Sequence, residues 1–171
     1  MVRFPAGFRI ENLEKHHRRG SFRSGKAKVD DWIATKALQH QRKRLSVTRV
    51  LVDDDQHLIG FYTIATAQVD VSDLPVQIGK RLPNRGVPVA LLAWLGIDIS
   101  CQGKGHGQRL LTQALCDCHE AGKTFAFVGV VIDCLDDQAK AFYQSFDFEE
   151  LPGNPYRLLI SAKLLAKLVA N

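Results

Sequence analysis

The chain has 171 residues, 46% hydrophobic and 24% charged, which fits a single globular domain over residues 1–171. No apolar run is long enough to span a bilayer, and the opening "MVRFPAGFRI" lacks a signal-peptide core, so the expectation is a cytoplasmic protein that makes no membrane contact. The net charge of +5 is uneven: residues 1–50 hold 13 Lys/Arg against 4 Asp/Glu, the remainder 10 against 14, and a basic first third suits either an acidic partner such as RNA or a plain solvated face.

Residues 29–44, "VDDWIATKALQHQRKR", set Val29, Trp32, Ile33 and Ala37 at helical spacing. Asp30 and Asp31 open this helix and Arg42, Lys43 and Arg44 close it, as the helix dipole favours. Trp32 is expected in the core. "SVTRVLVD" (46–53) and "LIGFYTIATAQV" (58–69) read as two strands joined by the turn "DDQH", a hairpin. Residues 70–88 read as a loop with one helical turn around Leu74–Gly79. "VALLAWLGIDI" (89–99) is apolar enough for a central strand covered on both faces.

The next helix carries Leu110, Leu111, Ala114, Leu115 and Cys118 on one stripe and stops at Gly122. "FAFVGVVID" (125–133) is a further buried strand, and "DDQAKAFYQSF" (136–146) a helix opened by Asp136 and Asp137. "FEEL" and "YRLLISA" complete the strands. The tail "SAKLLAKLVAN" reads either as an amphipathic helix facing a partner or as a continuation of the last strand into the core. This order makes a mixed α/β fold. The four cysteines have neither C-x-x-C nor zinc-like spacing, so they are expected as free thiols, and no metal site is expected.

The segment "CQGKGHG" stands where the central strand gives way to a helix. Glycines permit unusual backbone angles, and the first amides of a helix lack intrahelical acceptors. The segment lacks the ending of a Walker A loop, and its G-x-G-x-G spacing differs from a dinucleotide fingerprint. On its own it suits a structural turn as well as a phosphate cradle.

Gln102, Gly105 and Gly107 match Q/R-x-x-G-x-G, and "AFYQSFDF" (141–148) is similar to A-x-x-F-Y-x-x-x-G-F. Together they resemble the GNAT superfamily of N-acetyltransferases. "FRSGKAKVDDWI", "LLAWLGIDISCQGKGHG" and "VIDCLDDQAKAFYQSFDF" further resemble the GNAT-type toxins of bacterial toxin–antitoxin pairs, from Phe22 to Ile160. Three positions depart from that pattern. Ser24 replaces a cysteine, expected as a packing difference; Trp94 replaces the arginine of "RLAVD"; Asp147 replaces a glycine, in a turn whose left-handed backbone Asp tolerates.

The resemblance implies a mostly antiparallel, splayed central sheet flanked by helices, and acetyl transfer from acetyl-CoA to an amine. It places the pyrophosphate on Gln102, Gly103, Lys104, Gly105, His106 and Gly107, and the pantetheine arm along Leu95, Ile97, Asp98 and Ile99, with Phe142 nearby. A backbone amide near Leu95–Ile97 would stabilise the oxyanion. Tyr143 would be the general acid for the CoA thiolate. Asp98 and Asp133 are weak candidates for a base, since strand-end carboxylates are commonly caps. His106, His16 and His17 are expected at the surface. Lys26, Lys28, Lys36, Arg42, Lys43 and Arg44 are the candidate tRNA contacts. The resemblance further implies an aminoacyl-tRNA acceptor, a ribbon-helix-helix antitoxin and a homodimer. A small amine, a protein amino group, or a non-catalytic acyl-CoA module remain the other readings.

Overall fold

The computed structural model describes residues 2–171. Its strands are β1 (Arg9–Asn12), β2 (Val47–Val52), β3 (Leu58–Asp70), β4 (Gly86–Ile97), β5 (Gly129–Asp133), β6 (Glu149–Leu151) and β7 (Asn154–Ser161). They follow the order β1-β2-β3-β4-β5-β7-β6 in one sheet. The pairs β1–β2, β2–β3, β5–β7 and β6–β7 are antiparallel, and β4–β5 is parallel. A parallel pair needs a crossover, which here is the helix α4 (His106–Gly122). The remaining helices are α1 (Ala27–Asp31), α2 (Ala37–Arg42), α3 (Val76–Gly79), α5 (Asp137–Gln144) and α6 (Ala162–Val169). No helix among the described residues is long and apolar enough to cross a membrane.

The chain gathers into two compact units: one runs up to Ala65 and includes Ala93–Cys116, the other comprises Thr66–Leu92 and Asp117–Asn171. In the first, Leu13, Phe22, Val29, Trp32, Ile33, Ala37, Leu38, Val50, Val52, Leu58 and Phe61 form one apolar cluster. In the second, Val69, Leu74, Val87, Val89, Val131, Leu151 and Leu159 form another. Leu110 and Leu111 of α4 are fully buried. Truncating either to alanine costs about 2–5 kcal/mol.

The hairpin of β2 and β3 and the single turn α3 lie where the sequence places them. The helix predicted over 29–44 is interrupted. A π-helical turn, Trp32–Lys36, separates α1 from α2, and the Ala37 amide reaches back to the Trp32 carbonyl. The buried pairs Trp32/Ile33 and Ala37/Leu38 are five residues apart. An extra residue in the turn keeps both pairs inward and leaves Lys36 outside. The Thr35 hydroxyl donates to the Asp31 carbonyl at 2.8 Å, a local bond that competes with the α-helical ladder.

The strands also differ from the prediction. The strand predicted over 125–133 begins only at Gly129, because the amides of Lys123, Thr124 and Phe125 still bond to Glu120 and Ala121 as α4 unwinds. The strand predicted to end at 99 ends at Ile97, where Asp98 caps a 3₁₀ turn. Strand β1 was not anticipated, since a four-residue edge strand has little periodicity to read. The tail is helical rather than a strand extension: Ser161 Oγ accepts from the Leu164 amide, and Leu165 is buried beside β5 and β7. All four cysteines are free thiols. Burial raises Cys118 to about 12.

Candidate functional site

In the first unit, β4 runs directly into the glycine segment. Asp98 turns the chain there. Its Oδ1 accepts from the Ser100 amide (3.0 Å) and hydroxyl (2.7 Å), and its Oδ2 from the Arg23 amide (3.0 Å). Burial alone would raise the Asp98 pKa, but these hydrogen bonds and the Arg23 charge hold it below the usual carboxylate range. A carboxylate so engaged is a clamp and a poor base. The Asp98 amide donates to Ile59 O (2.8 Å) and the Ile99 amide to Arg23 O (2.7 Å). Ile99 projects its side chain outward at 59% exposure.

Gln102 is a brace between distant backbone segments. Its Nε2 donates to Ser24 O (2.7 Å) and Ile97 O (2.9 Å). Ser24 is held in turn by Asp30, whose Oδ1 accepts from the Ser24 amide (2.8 Å) and hydroxyl (2.6 Å). The replacement of cysteine by Ser24 is therefore more than packing: its hydroxyl is a donor inside a polar network. Sequence reasoning missed Arg23 and Asp30 as supports, because their partners lie on the backbone or across the fold.

Gly103 and Gly105 adopt φ of 74° and 80°, a region L-residues avoid. A Cβ on Gly103 would meet nothing within 4 Å, leaving its face open, and one on Gly105 would lie 3.3 Å from Arg109 Nη1. Gly107 is inside α4, without a positive φ. Arg109 donates from Nη1 to Lys104 O (3.3 Å), and Lys104 Nζ folds back to Ser100 O (3.4 Å). An open left-handed turn, two cations and the first amides of a long helix suit a polyphosphate.

His106 contradicts its expected place at the surface. It is 5% exposed, beneath Phe8 (ring centroids 5.1 Å apart), and its Nδ1 is buried without a partner. Burial first, then Arg109 and Lys104, lowers its pKa, so the imidazole is neutral at neutral pH. No local signal announces this contact, since Phe8 lies far upstream. His17 is likewise buried, not at the surface. Its Nδ1 accepts from the Glu14 amide (2.9 Å), and its Nε2 meets Glu11 Oε2 (2.8 Å). His16 is exposed, as expected.

In the second unit, Asp136 caps α5 by accepting from the Ala139 amide (2.8 Å), as expected. Tyr143 is buried, with the rings of Phe142 and Phe148 at 5.3 and 6.0 Å. Burial first, then Cys134, raises its pKa, so the phenol keeps its proton and is available as a donor. Burial likewise raises the Cys134 thiol to about 11. Asp147 closes the helix at φ 66°, the left-handed turn expected of it. Asp133 is committed to Arg157 through two bonds of 2.7 and 2.9 Å.

The six basic residues Lys26, Lys28, Lys36, Arg42, Lys43 and Arg44 are all exposed on and around the first two helices. Lys36 pairs with Asp31 at 2.9 Å. Trp32 is buried, as expected. It donates from Nε1 to Thr63 Oγ1 (3.0 Å) and stacks on Trp94.

Comparison with known proteins is consistent with this arrangement. The acetyltransferase (GNAT) domain family matches residues 46–150. A tRNA-acetylating toxin of Mycobacterium tuberculosis (strain ATCC 25618 / H37Rv) is 33% identical over 151 residues, which is 88% of this chain and 90% of that protein. The crystal structure of a tyrosine-to-phenylalanine mutant of KacT superposes with a TM-score of 0.89 at 24% identity, covering 95% of this chain and 99% of that one. AtaT complexed with acetyl-methionyl-tRNAfMet superposes with a TM-score of 0.87 at 24% identity, covering 94% and 98%. The strand, the glycine turn, the helix and the family match over most of the chain agree, and this chain belongs to the GNAT acetyltransferases.

Proposed function

We propose that this protein transfers the acetyl group of acetyl-CoA to the α-amine of an aminoacyl-tRNA, and so acts as a translation-blocking toxin. The observation that carries the reading is the 33% identity, over 88% of the chain, to a tRNA-acetylating toxin. The exposed cations of the first two helices support it, because a nucleic-acid partner would release counterions there.

The chain works as one acetyltransferase domain. Amides of Gly103, Lys104, Gly105, His106 and Gly107 hold the pyrophosphate, with Gln102 positioning the turn. The pantetheine arm pairs along β4 at Leu95–Ile97, since the Asp98 and Ile99 amides already have acceptors. The neutral amine attacks the thioester carbonyl, a β4 amide stabilises the oxyanion, and the C–S bond breaks with Tyr143 giving its proton to the departing thiolate, while the nitrogen releases its proton to solvent and solvent reprotonates Tyr143. Phe142 packs beside Tyr143. With Asp98 and Asp133 engaged as clamps, the amine is deprotonated before it binds. That step is easy for an aminoacyl ester, whose α-amine is weakly basic. The protein is cytoplasmic and dimeric, and a ribbon-helix-helix antitoxin masks it.

Cell-free translation with and without acetyl-CoA tests this. Inhibition that requires acetyl-CoA is the expected result. Unimpaired synthesis in the presence of a protein that binds acetyl-CoA would refute it. Charge reversal at Arg42, Lys43 and Arg44 should raise the KM for charged tRNA and flatten its salt dependence, without changing the KM for acetyl-CoA. A salt dependence that stays unchanged would favour a small amine acceptor.

A further inference from the structure

We propose that Trp94 is a stacking platform for a planar ring of the acceptor, and so a specificity-determining residue of the transfer; the inference rests on the aminoacyl-tRNA reading above. Trp94 sits on β4, four residues before the Asp98 turn that opens the glycine segment. Its face of the strand is set by its neighbour two residues on. A Cβ on Gly96 would lie 2.7 Å from Val29 Cγ1 and 3.4 Å from Phe22, and Trp94 packs on the same cluster. Ile97 points the other way, toward Leu110 of α4, since a Cβ on Gly60 would meet both. Trp94 therefore faces away from α4, the helix that follows the glycine turn. It lies on the side of α1 and α2, with their exposed cations.

On that side the ring is preorganised. Trp94 is half-buried and lies nearly parallel to Trp32, 13° between planes and 5.3 Å between centroids. Trp32 is fixed by its bond to Thr63 Oγ1, which is 2.7 Å from Thr48 Oγ1, and His40 meets it edge-on at 4.7 Å. Trp32 is also the first residue of the π-helical turn. An indole backed by a locked ring loses little freedom when a third ring joins, and a flat π surface is what stacks on it. That ring is supplied either by a nucleobase at the acceptor end of the RNA or by an aromatic aminoacyl side chain. Both share the chemistry, and they are separable by experiment.

Trp32 and Trp94 are the two tryptophans of the chain and stack on each other, so the wild-type emission reports directly on a third ring joining the stack. Without acetyl-CoA, the protein is titrated with three pools of total tRNA: uncharged, charged with non-aromatic amino acids, and charged with Phe, Tyr and Trp. Filter retention reports binding independently. Equal quenching by all bound pools assigns the ring to a base, and quenching confined to the aromatic pool assigns it to the side chain. Retention without quenching overturns the proposal.

In turnover, W94L raises the KM for charged tRNA about tenfold, with kcat and the acetyl-CoA KM unchanged; W94F, which keeps a ring, falls between. Melting curves establish that each variant is folded, and the wild-type quenching needs no variant to fold. An unchanged KM in W94L overturns the stacking alone. A wild-type enzyme that retains and acetylates no charged tRNA overturns the acceptor reading, and this inference with it.

Discussion

The glycine turn and the Tyr143 helix are built from different materials. The turn is held by polar bonds of long sequence separation, Gln102 to Ser24 and Asp98 to Arg23, and Ser24 is in turn held locally by Asp30 in α1. Tyr143 is held by rings, Phe142 and Phe148, inside one short stretch of chain. Polar networks fix direction and exclude slack, which suits the proposed role of aiming backbone amides at a phosphate. Apolar walls fix a pKa, which suits the proposed role of Tyr143 as a proton donor. Damage to the first region should therefore appear in acetyl-CoA affinity, and damage to the second in turnover.

The largest expected effect comes from Tyr143→Phe. It keeps the ring packing and removes the proton, so kcat should fall about 10²–10⁴-fold while acetyl-CoA affinity by calorimetry stays unchanged. Equal losses in both would break the contrast. Next is Gly105→Ala. The positive φ of 80° and the nearby Arg109 side chain make a Cβ unwelcome, at a cost of about 1–2 kcal/mol. That should weaken acetyl-CoA binding about tenfold, with the remaining bound fraction turning over normally.

Gln102→Leu removes two donors and leaves the Ser24 and Ile97 carbonyls without them, a loss of about 1–3 kcal/mol in urea unfolding, accompanied by a raised acetyl-CoA KM. The smallest effect concerns pH. The Asp98 pKa is lowered in the folded state, so its contribution is fully present above the unfolded carboxylate value, roughly pH 4, and is lost as pH falls through the lower folded value. The difference in stability between wild type and Asp98→Asn should be flat through neutral pH and shrink only in acid. A difference that changes near pH 7 would contradict the clamp.

What the sequence made legible follows from how local each feature is. The glycine segment and "AFYQSFDF" are each contiguous, so their order carried the family. Asp136 as a cap and Asp147 as a left-handed turn are also local, and both hold. The supports of the cradle were invisible, because a side chain bonding to a carbonyl 78 residues away leaves no pattern in either segment. His106 and His17 also differ from their expected surface positions. The burial of His106 depends on distant Phe8, whereas His17 is held by nearby Glu11 and Glu14, partners that a surface reading of the segment ignores. The π-helical turn is subtler. Its signature, two buried pairs five residues apart, is present in the sequence but is easily absorbed into an α-helical period.

The most direct test of the central claim is chemical. Charged tRNA is incubated with the protein and isotopically labelled acetyl-CoA, then digested so that the aminoacyl-adenosine is released for mass spectrometry. The account predicts a single labelled acetyl group on the α-nitrogen of the amino acid, lost with Tyr143→Phe. A labelled acetyl group absent from every aminoacyl-adenosine, in a preparation that binds acetyl-CoA, would contradict it.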